Sequence, residues 1–216
     1  YQIAKTFAER GVTVLDFETF ADLDGILPAI KKIRAEYDMF IAVSFSVNQF
    51  GYSAAGLSAK RLLADAAAVP EIDAVGLNCG VGPAHMRQIL EKAGRPVDKF
   101  LLAIPNAGYP TLTRNKLQFG NTPAYFAEKM KELQALGADI LGGCCGTTPE
   151  FIGELSLWDG ILNKIVLDTE TDNGEQTGHV QRHGFLYDEN GERKQKKLIA
   201  VELAPPFDAD DEKLLE

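Results

Sequence analysis

Apolar positions along the chain switch repeatedly between a helical and an extended period. From Tyr1 to Arg10, Ile3, Ala4, Phe7 and Ala8 recur at helical spacing, and Gly11 supplies a helix stop. Val12 to Phe17 is a short apolar run with β-branched residues, which predicts a strand. Leu23, Ile26, Leu27, Ile30 and Ile33 return to helical spacing. Phe40–Phe45 is the second predicted strand, and Ser58 is placed to cap a helix running through Leu62, Leu63 and Ala66. The third unit is a strand over Ala74–Cys79 and a helix over Pro83–Ala93. The fourth is a strand over Phe100–Ile104 and a helix over Pro123–Leu136. The fifth is a strand over Asp139–Leu141 and a helix from about Pro149. Proline in the first helical turn recurs in these units.

Strands apolar on both faces that alternate with helices imply an α/β fold, a parallel sheet covered by helices. No G-x-G-x-x-G loop follows any strand, which argues against a dinucleotide-binding fold. In the barrel form of this architecture chemistry sits at the C-terminal ends of the strands. Glu18, Ser44, Asn78, Cys79, Asn106, Cys144 and Cys145 all fall there. Five units do not close an eight-stranded barrel. Residues 1–157 are therefore expected to form the last five strand–helix units of a partial (β/α)8 TIM barrel, with the N-terminal part missing and the strand near residues 12–18 left as an unpaired edge. Residues 158–197 turn polar, with Asn173-Gly174 and Asn190-Gly191 as turn signals. They are expected to be a linker, with a hairpin around Asn190-Gly191. Leu198–Leu203 is again strand-like and runs into Pro205-Pro206, so residues 198–216 are expected to open a second domain.

Composition narrows the function. The 216 residues carry a formal net charge of −9, which argues against a nucleic-acid-binding surface. No apolar stretch is long enough to span a membrane. Small molecules or other proteins are the expected partners. Three cysteines, two of them adjacent, make a poor disulfide framework and fit reduced thiols in the cytoplasm.

All three cysteines lie where a strand is predicted to stop: Cys79 after Ala74–Asn78, and Cys144-Cys145 between glycines after Ala138–Leu141. Adjacent cysteines can be two small buried residues. Brought together, the three thiolates would make a zinc site with one position open. Zinc held by three thiolates is a weak Lewis acid for hydrolysis, but it deprotonates a bound thiol and leaves the sulfur nucleophilic. The reaction class this suits is attack of a substrate thiolate on an activated methyl or alkyl group. His179 and His183, four apart in the polar linker, read as solvated side chains, and His85 as a surface or capping residue.

Gly142-Gly143-Cys144-Cys145-Gly146-Thr147-Thr148-Pro149, with Gly76-Leu77-Asn78-Cys79 and Ile104-Pro105-Asn106-Ala107-Gly108, closely resembles the homocysteine S-methyltransferase family. The resemblance implies a (β/α)8 barrel and Cys79, Cys144 and Cys145 as zinc ligands. It also implies homocysteine and a methyl donor as substrates, and methionine as product. Glu18 matches the acidic residue that contacts the homocysteine amino group, and Asn78 and Asn106 are further candidates for substrate binding. Phe151 stands where the family usually has His after Pro-Glu, so altered packing or substrate contact is expected there. Leu198–Pro206 resembles the first strand of methylenetetrahydrofolate reductases, in which Glu202 matches a general acid. Together these imply a bifunctional protein that has lost its N-terminal barrel half and most of its C-terminal reductase domain. The alternatives are a non-catalytic zinc- and thiol-binding scaffold, or an inactive fragment.

Overall fold

The longest apolar runs become strands because both of their faces are buried. In the computed structural model the backbone is described for residues 1–113, 116–156 and 198–201, and the side chains for 1–112 and 118–155. Six helices are described: α1 (Gln2–Glu9), α2 (Leu27–Glu36), α3 (Ala59–Ala67), α4 (Pro83–Ala93), α5 (Pro123–Ala135) and α6 (Pro149–Ser156). The strands are β1 (Val14–Phe20), β2 (Phe40–Phe45), β3 (Ala74–Asn78), β4 (Phe100–Ile104), β5 (Pro110–Thr113), β6 (Lys116–Phe119), β7 (Ile140–Gly143) and β8 (Leu198–Val201). The main sheet runs β1-β2-β3-β4-β7-β8, with every neighbouring pair parallel. This is the expected α/β architecture, and β1 is its edge.

Strand alternation sorts the side chains onto two faces. Ile41, Val43, Phe45, Val75, Leu77, Leu101, Ala103 and Leu141 pack with the apolar stripes of the helices, among them Ile30, Leu62, Met86 and Met130. Phe40, Ala42, Ala74, Phe100, Leu102, Ile104, Ile140 and Cys144 form a second cluster on the opposite face, with Cys79 packed against it. Two of the three cysteines thus belong to the face away from the helices.

The N-terminal ends of two strands share one device. Asp73, just before β3, accepts the Ile41 N–H at 2.8 Å and pairs with Arg34. Asp139, just before β7, accepts the Leu101 N–H at 2.9 Å and pairs with Arg95 at 2.9 Å. Each carboxylate satisfies a ladder N–H of the preceding strand and a guanidinium from the segment before it.

Three features depart from the sequence expectation. β1 runs over Val14–Phe20, starting and ending later than expected, so Glu18 lies inside the strand instead of just past its end. An antiparallel hairpin, β5–β6, interrupts the path from β4 to α5. Leu198–Val201 does form a strand, but it pairs in parallel with β7, from Ile140↔Leu198 to Gly143↔Val201. Glu202 and the rest of 202–216 lie outside the described residues, as does segment 157–197 with its Asn190-Gly191 turn, His179 and His183. Among the described residues, no helix is long and apolar enough to cross a membrane.

Candidate metal centre

The three cysteines converge. Their sulfurs all lie within 4.8 Å of one another, and Cys79 Sγ is 3.7 Å from Cys145 Sγ. Four sulfurs about 2.3 Å from a tetrahedral zinc lie about 3.8 Å apart. A disulfide needs sulfurs about 2.05 Å apart, and none of the three cysteines is in one. Soft thiolates in this number select zinc or another thiophilic ion over magnesium or calcium.

The loop after β4 builds the site. Ile104 O accepts the Cys79 N–H at 3.0 Å, and Pro105 O accepts the Cys144 N–H at 2.9 Å. The Ala107 N–H donates to Cys145 O at 2.9 Å, and the Asn106 N–H to Val81 O at 2.9 Å. The Pro-Asn-Ala segment is therefore a backbone bridge between the loop that carries Cys79 and the loop that carries the cysteine pair. β4 lies between β3 and β7, which is why a motif with no ligand of its own sits beside all three.

Backbone conformation completes the site. Cys79 has φ +55°, a left-handed conformation uncommon outside glycine. Gly146, at φ +79°, leaves room for Phe119 of the hairpin; a Cβ there would sit 2.2 Å from the Phe119 ring. The hairpin that sequence reasoning missed thus packs directly against the cysteine loop.

The electrostatics favour one thiolate even without metal. The thiol of Cys144 hydrogen-bonds to Cys79, and the Gly80 N–H, the Cys145 thiol and the Asn106 amide add to it. Against the opposing effect of burial, they pull the Cys79 pKa down from 9.0 to about 5. In metal-free protein the alkylation rate of Cys79 should therefore stay high at neutral pH and fall only as pH drops through about 5. Peptide mapping after iodoacetamide treatment at graded pH measures this. Cys144→Ala removes the leading hydrogen bond and should move the fall to higher pH. The stability linked to this group is fully present above the ordinary thiol value and is lost as pH falls towards about 5.

The remaining predicted residues are placed as follows. Glu18 is partly buried on β1. Strand alternation puts it on the same face as Asp16, whose register partner Ala42 belongs to the cysteine-side cluster. Asp16 accepts a hydrogen bond from Ser44 at 3.3 Å. Sequence reasoning missed Asp16, although the alternation of Leu15 and Phe17 with Asp16 and Glu18 could have shown it. Asn78 is wholly buried, with its amide bonded to Thr19. Asn106 is buried, and its Oδ1 has no hydrogen-bond partner among the described residues. A cleft of about 490 Å³ opens at the ends of β1–β3, bounded by Thr19 and Gly80, the residues that follow Glu18 and Cys79. His85 packs edge-on against Tyr109, with centroids 5.4 Å apart. Phe151 packs edge-on against Phe126 in the helix-side core, so the departure from His is absorbed by packing.

The family model for homocysteine S-methyltransferases matches residues 1–157. The chain belongs to the homocysteine S-methyltransferase family. Among its relatives in that sense, methionine synthase of Mycobacterium tuberculosis is 37% identical over 86 residues, which is 39% of this chain and 7% of that protein. Methionine synthase of Mycobacterium leprae is 38% identical over 90 residues, again 39% of this chain and 7% of that protein. The fold is similar to that of the homocysteine methyltransferase MmuM from Escherichia coli. Its metallated form aligns with a TM-score of 0.55 at 22% identity, over 70% of this chain and 46% of MmuM. The chain thus spans about half the length of that solved relative and a small part of the methionine synthases.

Proposed function

We propose that the protein transfers a methyl group from a donor to the thiolate of homocysteine to give methionine, with zinc held by Cys79, Cys144 and Cys145. The observation that carries this is the convergence of three cysteine sulfurs, none in a disulfide, to within 4.8 Å in a family member. Zinc bound there would leave a position open to a fourth ligand and favour the deprotonated, nucleophilic form of a thiol. In the reaction the homocysteine sulfur forms a bond to the methyl carbon, and the donor departs with the electron pair of the broken bond. The chain supplies the rest. The Pro105–Ala107 bridge fixes the three sulfurs, the Asn106 amide donates to Cys79, and Glu18 offers a carboxylate to the homocysteine amino group.

Zinc analysis of the full-length protein, followed by a panel of donors scored by methionine formed, tests this reading. Methyltetrahydrofolate, S-methylmethionine, S-adenosylmethionine and betaine make up the panel. A folded protein that stays zinc-free in zinc-replete medium sinks the reading. Bound zinc and homocysteine with no methionine from any donor would make the protein a thiol-binding scaffold instead. Glu18→Gln keeps the side chain's size and loses its charge. It should raise KM for homocysteine roughly 10-fold or more, since a charge-assisted hydrogen bond contributes about 1.5–3 kcal/mol.

The same reading extends along the chain. Residues 1–157 are the last five units of a (β/α)8 barrel, 158–197 a linker, and 198–216 the start of a methylenetetrahydrofolate reductase-like domain with Glu202 as its general acid. The Leu198–Pro206 motif supports this. In the full-length barrel the first strand would take the edge of β7 that Leu198–Val201 occupies here, because a barrel closes last strand onto first. Reductase activity of the full-length protein, abolished by Glu202→Gln, is the measure. Three cysteines outside any disulfide fit a reducing, cytoplasmic setting.

A further inference from the structure

Asn78 and its partner are not used by the function proposed above, yet they join its two halves. Asn78 ends β3 and is 0% exposed. Its Oδ1 accepts the Thr19 N–H at 2.8 Å, and its Nδ2 donates to Thr19 Oγ1 at 2.6 Å. One amide thus bonds both the main-chain N–H and the hydroxyl of a single residue 59 positions away. That residue follows Glu18, as Cys79 follows Asn78. Thr19 and Cys79 both have positive φ, at +64° and +55°. A β-branched residue in this region is a genuine outlier and persists only where the surroundings over-determine it. The surroundings of Cys79 are backbone: its N–H donates to Ile104 O, and its carbonyl accepts the Val81 N–H at 2.7 Å. At Thr19 the restraint comes from the Asn78 side chain. Asn is suited to this position because it offers an acceptor and a donor on one short stem.

We infer that Asn78 is a positioning residue that ties Glu18 to the metal ligand Cys79 through Thr19, so that the two ends of the substrate site are held as one unit. This rests on the proposed function for what the two ends bind. It assigns Asn78 no contact with substrate. Sulfur and amino group are then recognised at a fixed separation, which would select homocysteine over thiols with a longer or shorter spacer.

The test is a double-mutant cycle on the full-length, zinc-loaded protein. Asn78→Leu keeps the approximate volume and loses both the acceptor and the donor. Thr19→Val keeps the shape and loses the hydroxyl, and Thr19→Ser keeps the hydroxyl. The first two should each weaken homocysteine binding by calorimetry about tenfold, as loss of a supporting partner does, with zinc content unchanged and kcat at saturation held. The pair together should be within about twofold of either alone, and Thr19→Ser should bind as wild type. Additive losses would overturn the inference, as would a loss in Asn78→Leu that Thr19→Val does not share. Alkylation of Cys79 in the metal-free protein gives a readout independent of the reaction. Both variants should change its rate without adding, and an unchanged rate in Thr19→Val overturns the clamp. A wild-type protein that binds no zinc or homocysteine would fail the proposed function instead, and the alkylation cycle would still decide the clamp.

Discussion

Cys79→Ser, Cys144→Ser and Cys145→Ser should each leave the full-length protein folded, without bound zinc, and with methyl transfer below roughly a thousandth of wild type. That is well beyond the roughly 10–100-fold that loss of an outer-shell partner costs. Serine matches cysteine in size but does not ionise near neutral pH, so it cannot supply a thiolate. With one thiolate gone, the two that remain cannot make up the three protein ligands that a zinc site with one open position needs. The fold should survive because none of the three side chains carries the core. Cys145 is exposed, Cys79 half-buried, and Cys144, though buried in the second cluster, is replaced by a side chain of similar size. Zinc by elemental analysis, methionine formation and thermal unfolding of the metal-free proteins together check this. A variant that keeps one zinc per chain and turns over at a tenth of wild type would remove that cysteine from the ligand set.

The parts of this structure that can be read along the chain are those fixed by local chemistry. β2, β4 and α4 fall on the residues the sequence indicates, because an apolar run buried on both faces, or a helix bounded by Pro83 and Gly94, has its ends written locally. β1 is harder. It is a half-exposed edge whose alternation continues past Phe17, so its end at Phe20 depends on pairing with Phe45. The β5–β6 hairpin escaped notice because two four-residue strands carry little pattern of their own. At the site the cysteines could be read from their flanking glycines and strand ends. The roles of the asparagines could not. Asn78 is explained by Thr19, 59 residues away, and Asn106 by the Cys79 sulfur it touches. An amide in a turn looks the same in sequence whether it holds the turn, a distant loop or a ligand.

The opposite end of β3 should give the largest loss of stability. Asp73→Ala is expected to cost about 3–5 kcal/mol, the range for breaking a buried ion pair on one side, and to lower Tm by roughly 10 °C or more. Asp73 is 4% exposed and serves two partners. Its removal leaves the Ile41 N–H without an acceptor and the Arg34 guanidinium, 14% exposed, without its counter-charge. Arg34 also donates to Met39 O at 2.6 Å and to Glu71 O at 2.7 Å, so it cannot swing into solvent without breaking the strand entry it organises. Asp73→Asn should cost less, because the amide oxygen can still accept from Ile41 while only the charge is lost. Arg95→Ala at the matching pair should cost least, because Arg95 is 40% exposed and water can replace it. Asn78 lies five positions after Asp73, and Cys79 follows. If the N-terminal ends of the strands serve stability and the C-terminal ends chemistry, the two substitutions that flank β3 must dissociate. The folded fraction of Asp73→Ala should still bind one zinc per chain, while Cys79→Ser should bind none and melt as the metal-free wild type does. Zinc content measured against the folded fraction at graded urea concentrations resolves the two. Loss of zinc in parallel with Asp73→Ala unfolding supports this division of the strand, and loss of zinc from Asp73→Ala while it is still folded breaks it.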